Sequence, residues 1–239
     1  MNENNITSKL SVIIVAGGSS RRYGNGNKLL EMLSGMPIFL HSVKKFLPMC
    51  MEKGLVMVVP KDEEANFKEI TKQYNIDIDA ITWTNGGASR TKSVINGIVA
   101  TPKDCEVIAV HDAARPLATQ ELLTQLVFAA ISCNGGAVSV KKVVDSIKTV
   151  DEFGTVISAP NRENMRSAET PQVFTAYALK TAYNLLGNKE YTDDVEVVRA
   201  ANFKVNTIEN LQPNIKLTVP EDLLYLKFLL QLQEHQQLK

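Results

Sequence analysis

The chain has 239 residues, 44% hydrophobic and 22% charged, enough apolar surface for a packed core and too little charge for a disordered chain. Lys plus Arg total 26 and Asp plus Glu total 26, so no global field draws the protein to nucleic acid or to a lipid surface. Any anion site must be local.

Cys50, Cys105 and Cys133 are widely separated and form no CxxC pair, which reads as reduced thiols, not disulfides or a zinc site. The opening MNENNITSKL lacks the basic and apolar regions of a signal peptide. Apolar runs such as VIIVAG and LVMVV fall far short of the ~20 residues of a bilayer span. The expectation is a soluble, cytoplasmic protein with no membrane and no nucleic-acid partner.

The first element is a buried strand at 12–15, and it runs into AGGSSRRYGNGNK. Gly17 and Gly18 let the backbone approach a bulky ligand, and successive N–H groups in such a turn cradle phosphate oxygens. A Walker A loop is excluded because Leu29 follows Lys28, and GGSSRR does not match the dinucleotide fingerprint. Arg21, Arg22 and Lys28 gather cations there, each worth about 4 kcal/mol against a phosphate at ~4 Å and an effective dielectric of ~20, before desolvation. A polyphosphate site is the functional reading; a solvated basic turn is the plain one.

A helix over 37–47, with Pro37 in its first turn, leads to a strand at 55–59, a helix over 63–74 and a strand at 80–83. The next loop, NGGASRTKSV, allows close approach at Gly86 and Gly87, and Ser89 caps a helix over 89–100. Ser93, one turn in, can reach a base or ribose, although a plain strand-to-helix turn looks the same. The strand at 107–110 ends in HDAARP. A carboxylate at a strand's carboxyl end facing a phosphate cradle, here Asp112, is placed for Mg²⁺, or else it forms an ion pair with Arg115. A helix over 120–132, capped by Thr119, and a strand at 137–140 follow.

Strands apolar on both faces and separated by helices imply a mostly parallel, twisted sheet flanked by helices, an α/β fold of Rossmann-like kind. Ligands then bind beyond the carboxyl ends of the strands. The stretch 137–158 breaks the alternation: a β-branched ribbon turning near 151–154, read as a protruding antiparallel β-arm. A long exposed hairpin pairs with a partner subunit or folds back on its own domain. Beyond it come a loop over 159–174, helices over 175–186 and 193–201, a strand near 204–208 and a closing helix over 221–234. One domain spans 1–239, with the arm at about 137–160.

Taken together, VAGGSSRR with Lys28, GGASRTKSV, HDAARP, the Arg162 to Thr170-Pro171-Gln172 spacing and NIKLTVPEDL resemble, in order, the 2-C-methyl-D-erythritol 4-phosphate cytidylyltransferase family of the non-mevalonate isoprenoid pathway. The resemblance implies a nucleotidyltransferase fold, Mg²⁺, CTP, a polyol phosphate substrate and a homodimer joined by the β-arms. It further implies that Arg22 and Lys28 contact the CTP phosphates and that Lys216 lies at the reacting centre. Ala16, Gly17 and Gly18 line the nucleotide, Gly87 and Ser93 sit near the cytosine, and Asp112 binds the metal. Ser146, Arg162 and Thr192 are expected to hold methylerythritol phosphate, the arm residues reaching the partner's site.

A phosphate monoester is already nucleophilic at neutral pH, so the chemistry needs in-line placement and charge neutralisation. His41, His111 and His235 are read as structural. The chain departs from the family pattern at Asn27 and Leu29 around the loop lysine, at Ala88 and Pro213 where acids are usual, and at Ser146 in place of threonine. A ribitol 5-phosphate cytidylyltransferase and a non-catalytic CTP-binding module are the competing readings. A sugar transferase would need a DxD that HDAA lacks.

Overall fold

The computed structural model describes residues 9–17, 23, 24, 26–187 and 189–237, the side chains from 233 onward excepted. Gly18, Arg21 and Arg22 lie outside the described residues, as does the side chain of His235. In chain order the elements are β1 (Leu10–Val15), β2 (Met32–Leu33), β3 (Met36–Pro37), α1 (Ile38–Phe46), β4 (Leu55–Val59), α2 (Glu64–Gln73), β5 (Ile81–Asn85), α3 (Arg90–Ala100) and β6 (Val107–Asp112). Next come α4 (Gln120–Ser132), β7 (Gly136–Lys142), β8 (Thr149–Val150), β9 (Val156–Ser158), β10 (Arg166–Thr175), α5 (Ala176–Leu185), α6 (Asp194–Ala200), β11 (Val205–Glu209) and α7 (Pro220–Gln237).

A seven-stranded sheet runs in the order β11-β7-β10-β6-β1-β4-β5. All its pairings are parallel except those of β10, which is antiparallel to both β6 and β7. The central strands are apolar on both faces because helices cover both. Val12, Ile14, Leu55, Met57 and Ala109 pack toward α1, α2, α4 and α7. Ile13, Val56, Val58, Ile108 and Val110 pack toward α3, α5 and α6. Each of the valine, leucine, isoleucine and methionine side chains among them contributes about 1.5–3 kcal/mol through burial.

From β1 the chain moves outward through β4 to β5, then crosses back to place β6 on the other side of β1. The strand order therefore reverses between β1 and β6, the switch point beyond whose carboxyl ends such sheets bind ligands. Val15 is in register with Asp112 there.

The expected helix caps are present. Ser89 Oγ accepts from Lys92 N–H and Thr119 Oγ1 accepts from Leu122 N–H. Pro37 is the N-cap of α1 and not part of its first turn, because its ψ of 143° is extended.

The 159–174 stretch is the main correction: most of it is β10, a ten-residue strand between β6 and β7. Its register shifts between Ala168 and Gln172, and Glu169, Thr170 and Gln172 are buried polar residues. A polar strand of this kind has no apolar alternation to read.

β7 belongs to the main sheet. The chain leaves that sheet after Lys142 and rejoins it at Arg166, and in between β8 and β9 form a separate antiparallel hairpin. Its turn closes on Asp151, whose Oδ1 accepts from Phe153 N at 3.0 Å and Thr155 N at 2.8 Å.

Candidate active site

Three loops meet beyond the carboxyl ends of the sheet's central strands. After β1, Ala16 N–H donates to Val58 O, and Gly17 lies against the second loop. A Cβ on Gly17 would stand 3.6 Å from both Gly86 Cα and Ser93 Oγ. Ser93 Oγ accepts from Gly87 N–H at 3.0 Å and donates to Ser89 O at 2.9 Å. Ser93 is buried, so its hydroxyl shapes the glycine turn. A Cβ on Gly87 would come 2.4 Å from Lys92 Cβ, which only the smallest residue avoids.

Lys28 opens a single 3₁₀ turn capped by Asn27, whose Oδ1 accepts from Leu29 N–H at 3.1 Å. Asn27 Nδ2 also donates to Glu63 Oε2 at 3.0 Å, so the residue that departs from the family pattern pins the end of the loop. Lys28 Nζ donates to Leu217 O at 2.7 Å, and Leu217 N–H donates to Ala114 O at 2.8 Å. The first loop, the HDAARP loop and the NIK segment are thereby tied together.

At their junction Lys216 Nζ donates to Asp112 Oδ2 at 2.6 Å, across a sequence separation of 104. Lys216 is 37% exposed on its side chain and Asp112 13%. Arg90 Nε approaches Asp112 Oδ1 at 3.8 Å, while its Nη2 donates to Asp194 Oδ2 at 2.7 Å. Tyr183 OH donates to the other oxygen of Asp194 at 2.5 Å.

Burial alone would raise the Asp112 pKa, but Lys216 and Arg90 together outweigh it and hold the carboxyl well below its usual range. Arg90 is likewise opposed by burial, and its two carboxylates raise its pKa above the ordinary value. Burial and then Asp194 push the Tyr183 phenol upward.

His111, beside Asp112, is fully buried, and burial lowers its pKa to about 3. Thr170 Oγ1 accepts from Asp112 N–H, which leaves its own proton for His111 Nδ1 at 3.3 Å. Nε2 then carries the ring proton toward Arg115 O at 3.2 Å, with Ser42 Oγ at 3.1 Å. This neutral ring, packed edge-on against Phe46, is structural. His41 is buried with Nε2 2.9 Å from Leu33 O.

Arg115 does not pair with Asp112 by a hydrogen bond; its Nη1 donates to Asn214 O at 2.7 Å. Of the residues read as substrate-side, Arg162 and Thr192 hydrogen-bond to their own neighbourhoods, with Thr192 two residues ahead of Asp194. Ser146 is exposed on the arm. Arg162 Nη1 donates to Val144 O at 2.9 Å, also within the arm. Thr192 Oγ1 donates to Glu196 Oε2 at 3.0 Å, just ahead of α6.

The family model of 2-C-methyl-D-erythritol 4-phosphate cytidylyltransferase (IspD) matches residues 10–232. The chain belongs to this family. Among curated relatives, the 2-C-methyl-D-erythritol 4-phosphate cytidylyltransferase of Alkaliphilus metalliredigens (strain QYMF) is 35% identical over 223 residues, 92% of each chain. That of Alkaliphilus oremlandii (strain OhILAs) is 36% identical over 91% of this chain and 93% of its own. A crystal structure of the 4-diphosphocytidyl-2C-methyl-D-erythritol synthase of Anaerococcus prevotii DSM 20548 superposes with a TM-score of 0.79 at 26% identity, covering 94% of this chain and 99% of that one.

As a cytidylyltransferase the chain is a nucleotidyltransferase, and its mostly parallel sheet is the fold of that class. Sequence reasoning did not single out Arg90, Asp194, Tyr183 or Glu169. Arg90 lies inside a quoted motif, GGASRTKSV, and Asp194 two residues beyond Thr192, but only the fold brings them together. A cation at the first position of a helix was the available signal, because the helix dipole disfavours a cation there unless an anion faces it.

Proposed function

We propose that the chain transfers the cytidylyl group of CTP to 2-C-methyl-D-erythritol 4-phosphate, giving 4-diphosphocytidyl-2-C-methyl-D-erythritol and pyrophosphate in non-mevalonate isoprenoid synthesis. The observation that carries the reading is the Lys216–Asp112 pair at the switch point, with Lys28 bonded to the next residue of the same segment. A phosphate oxygen of the polyol ester attacks the α-phosphorus of CTP. The new P–O bond forms as the bond to the β-phosphate oxygen breaks, and pyrophosphate leaves with that electron pair.

Negative charge grows along this axis, so fixed cations accelerate the step more than any proton shuttle. Lys28 and Arg22 neutralise the leaving phosphates in this reading, and Lys216 the reacting centre. Ala16, Gly17, Gly18 and Gly87 give the nucleotide close backbone approach, and Ser93 holds the glycine turn that faces the base. Asp112, through its 2.6 Å hydrogen bond, keeps Lys216 aimed at the reacting centre.

Mg²⁺ fits one position. Among the described residues Asp112 Oδ1 meets the 3.8 Å approach of Arg90, and a single carboxylate suits an ion that takes its other ligands from phosphates and water. Among the described residues no three His, Cys, Asp or Glu side chains converge on a metal site, so the ion would arrive with the nucleotide. Bound there, it would neutralise phosphate charge.

Ser146, Arg162 and Thr192 hold the polyol phosphate in this reading, the arm residues across a homodimer. Among the described residues no helix is long and apolar enough to cross a membrane, which agrees with a cytoplasmic enzyme.

The test is pyrophosphate release from CTP and Mg²⁺ with methylerythritol phosphate and, in parallel, ribitol 5-phosphate. Preferred turnover of methylerythritol phosphate is expected. Faster turnover of ribitol phosphate would reassign the substrate, and CTP binding without pyrophosphate release from either would leave a binding module.

A further inference from the structure

Lys216 stands on a segment, 210–218, with no helix or strand of its own, yet a charge at the reacting centre needs a fixed position. Much of that fixing runs through one atom, Glu169 Oε2. It accepts from Ser139 Oγ at 3.2 Å, Asn210 Nδ2 at 2.9 Å and Asn214 Nδ2 at 3.1 Å.

These donors come from β7 and from both sides of Pro213, so a single carboxylate oxygen staples the start and middle of the segment to the sheet. The remaining Asn214 amide proton goes to Thr170 O at 2.9 Å. Thr170 is the residue whose hydroxyl receives Asp112 N–H. Asn214 O in turn accepts from Arg115. The partners of Lys216 and the anchors of its segment therefore share one polar network.

Glu169, Ser139 and Asn214 are 6%, 0% and 1% exposed. An acid buried to that degree, with no salt bridge within 4 Å among the described residues, costs desolvation energy that an apolar residue would avoid. Its three donors offset that cost locally, and their common destination explains the choice of residue.

We propose that Glu169 is a positioning residue for Lys216, acting through Asn210 and Asn214 to set the ammonium against Asp112. The inference rests on the cytidylyltransferase reading for its kinetic consequence, but its geometric half is measurable without any substrate. Glu169→Leu removes the acceptor and leaves the three donors unpaired. Glu169→Gln keeps one carbonyl oxygen able to take the place of Oε2.

The first measurement is the rate at which limiting acetic anhydride acetylates Lys216, read by peptide mass spectrometry with Lys204 as the reference. In Glu169→Leu, Lys216 is expected to label several-fold faster than in the wild type, and in Glu169→Gln at the wild-type rate. Equal labelling of Lys216 in all three proteins overturns the proposal whatever the enzyme's substrate.

The second measurement is steady-state turnover. Glu169→Leu is expected to lower kcat about tenfold while the KM for CTP stays within about twofold, the pattern of a lost transition-state contact. In a Lys216→Ala background the same change should cost nothing further, because the residue acts only through that lysine. An additive loss there, or a Glu169→Gln variant as impaired as Glu169→Leu, overturns the positioning role. Should Glu169→Leu fail to fold, Asn214→Ala removes one arm of the same staple and is read by the same labelling and the same double-variant comparison.

Discussion

Lys216 stands on one short stretch of chain, 210–218, and Lys28 is bonded to it, so the same phenotype is expected of both although each is held by different means. Lys216 is held by a carboxylate and Lys28 by a backbone carbonyl. Replacing either by alanine should lower kcat about 10²–10³-fold, the scale for losing one contact that strengthens in the transition state. Steady-state pyrophosphate assays decide it, and an unchanged kcat in both variants would remove them from the chemistry.

His111 makes a pH prediction of opposite character. Its folded pKa of about 3 lies below the ordinary 6.5 because the ring is buried. Above the ordinary value both states are neutral and the residue adds no pH dependence. Between the two values the unfolded chain binds a proton that the native state refuses, so stability falls as pH falls. His111→Gln, which cannot be protonated, should show a shallower decline of Tm from neutral pH into this window, even if its Tm at neutral pH is lower. Parallel slopes for the two proteins would mean that other groups govern acid lability.

At the scale of elements, α3 lies so close to β1 and β4 that Gly97 has no room for a methyl group. A Cβ there would meet Ile13 Cγ2 at 2.5 Å and Val58 Cγ2 at 3.2 Å, both in the fully buried core. Gly97→Ala should cost about 1–3 kcal/mol by overpacking and lower Tm in thermal unfolding. Because Ser89 and Arg90 begin the same helix, turnover should fall with it. A variant as stable as the wild type would show that the helix can move outward freely.

The same elements show what the sequence makes legible. β1, β4 and β6 announce themselves as apolar runs because helices cover both of their faces. β10 stays hidden because Glu169, Thr170 and Gln172 face polar partners instead of oil. Lys28, Asp112 and Lys216 could be named from motifs. Their pairings could not, nor could the Glu169 staple, because partners 104 residues apart, as in Lys216 with Asp112 and Arg90 with Asp194, leave no pattern that says which residue meets which.

The whole molecule raises the question of what covers the arm. Val144, Phe153 and Ile157 are 80%, 85% and 62% exposed on the arm between β7 and β10, outside the main sheet, and exposed large apolar side chains on a projecting arm mark an interaction surface. If a second copy covers them and each arm serves the other copy's site, two inactive variants should rescue one another. Arg162→Ala damages the arm and Lys216→Ala the core of the site. In a mixed dimer, one site joins the intact Lys216 of the first variant to the intact Arg162 of the second, while the other site carries both lesions. Random exchange of the two pools makes half the dimers mixed, so about a quarter of wild-type sites should return. Mixing that restores no activity, in a protein that sedimentation shows to be dimeric and exchanging, would confine each arm to its own subunit. Phe153→Asp should by the same logic yield a monomer that still binds CTP but turns over polyol phosphate poorly.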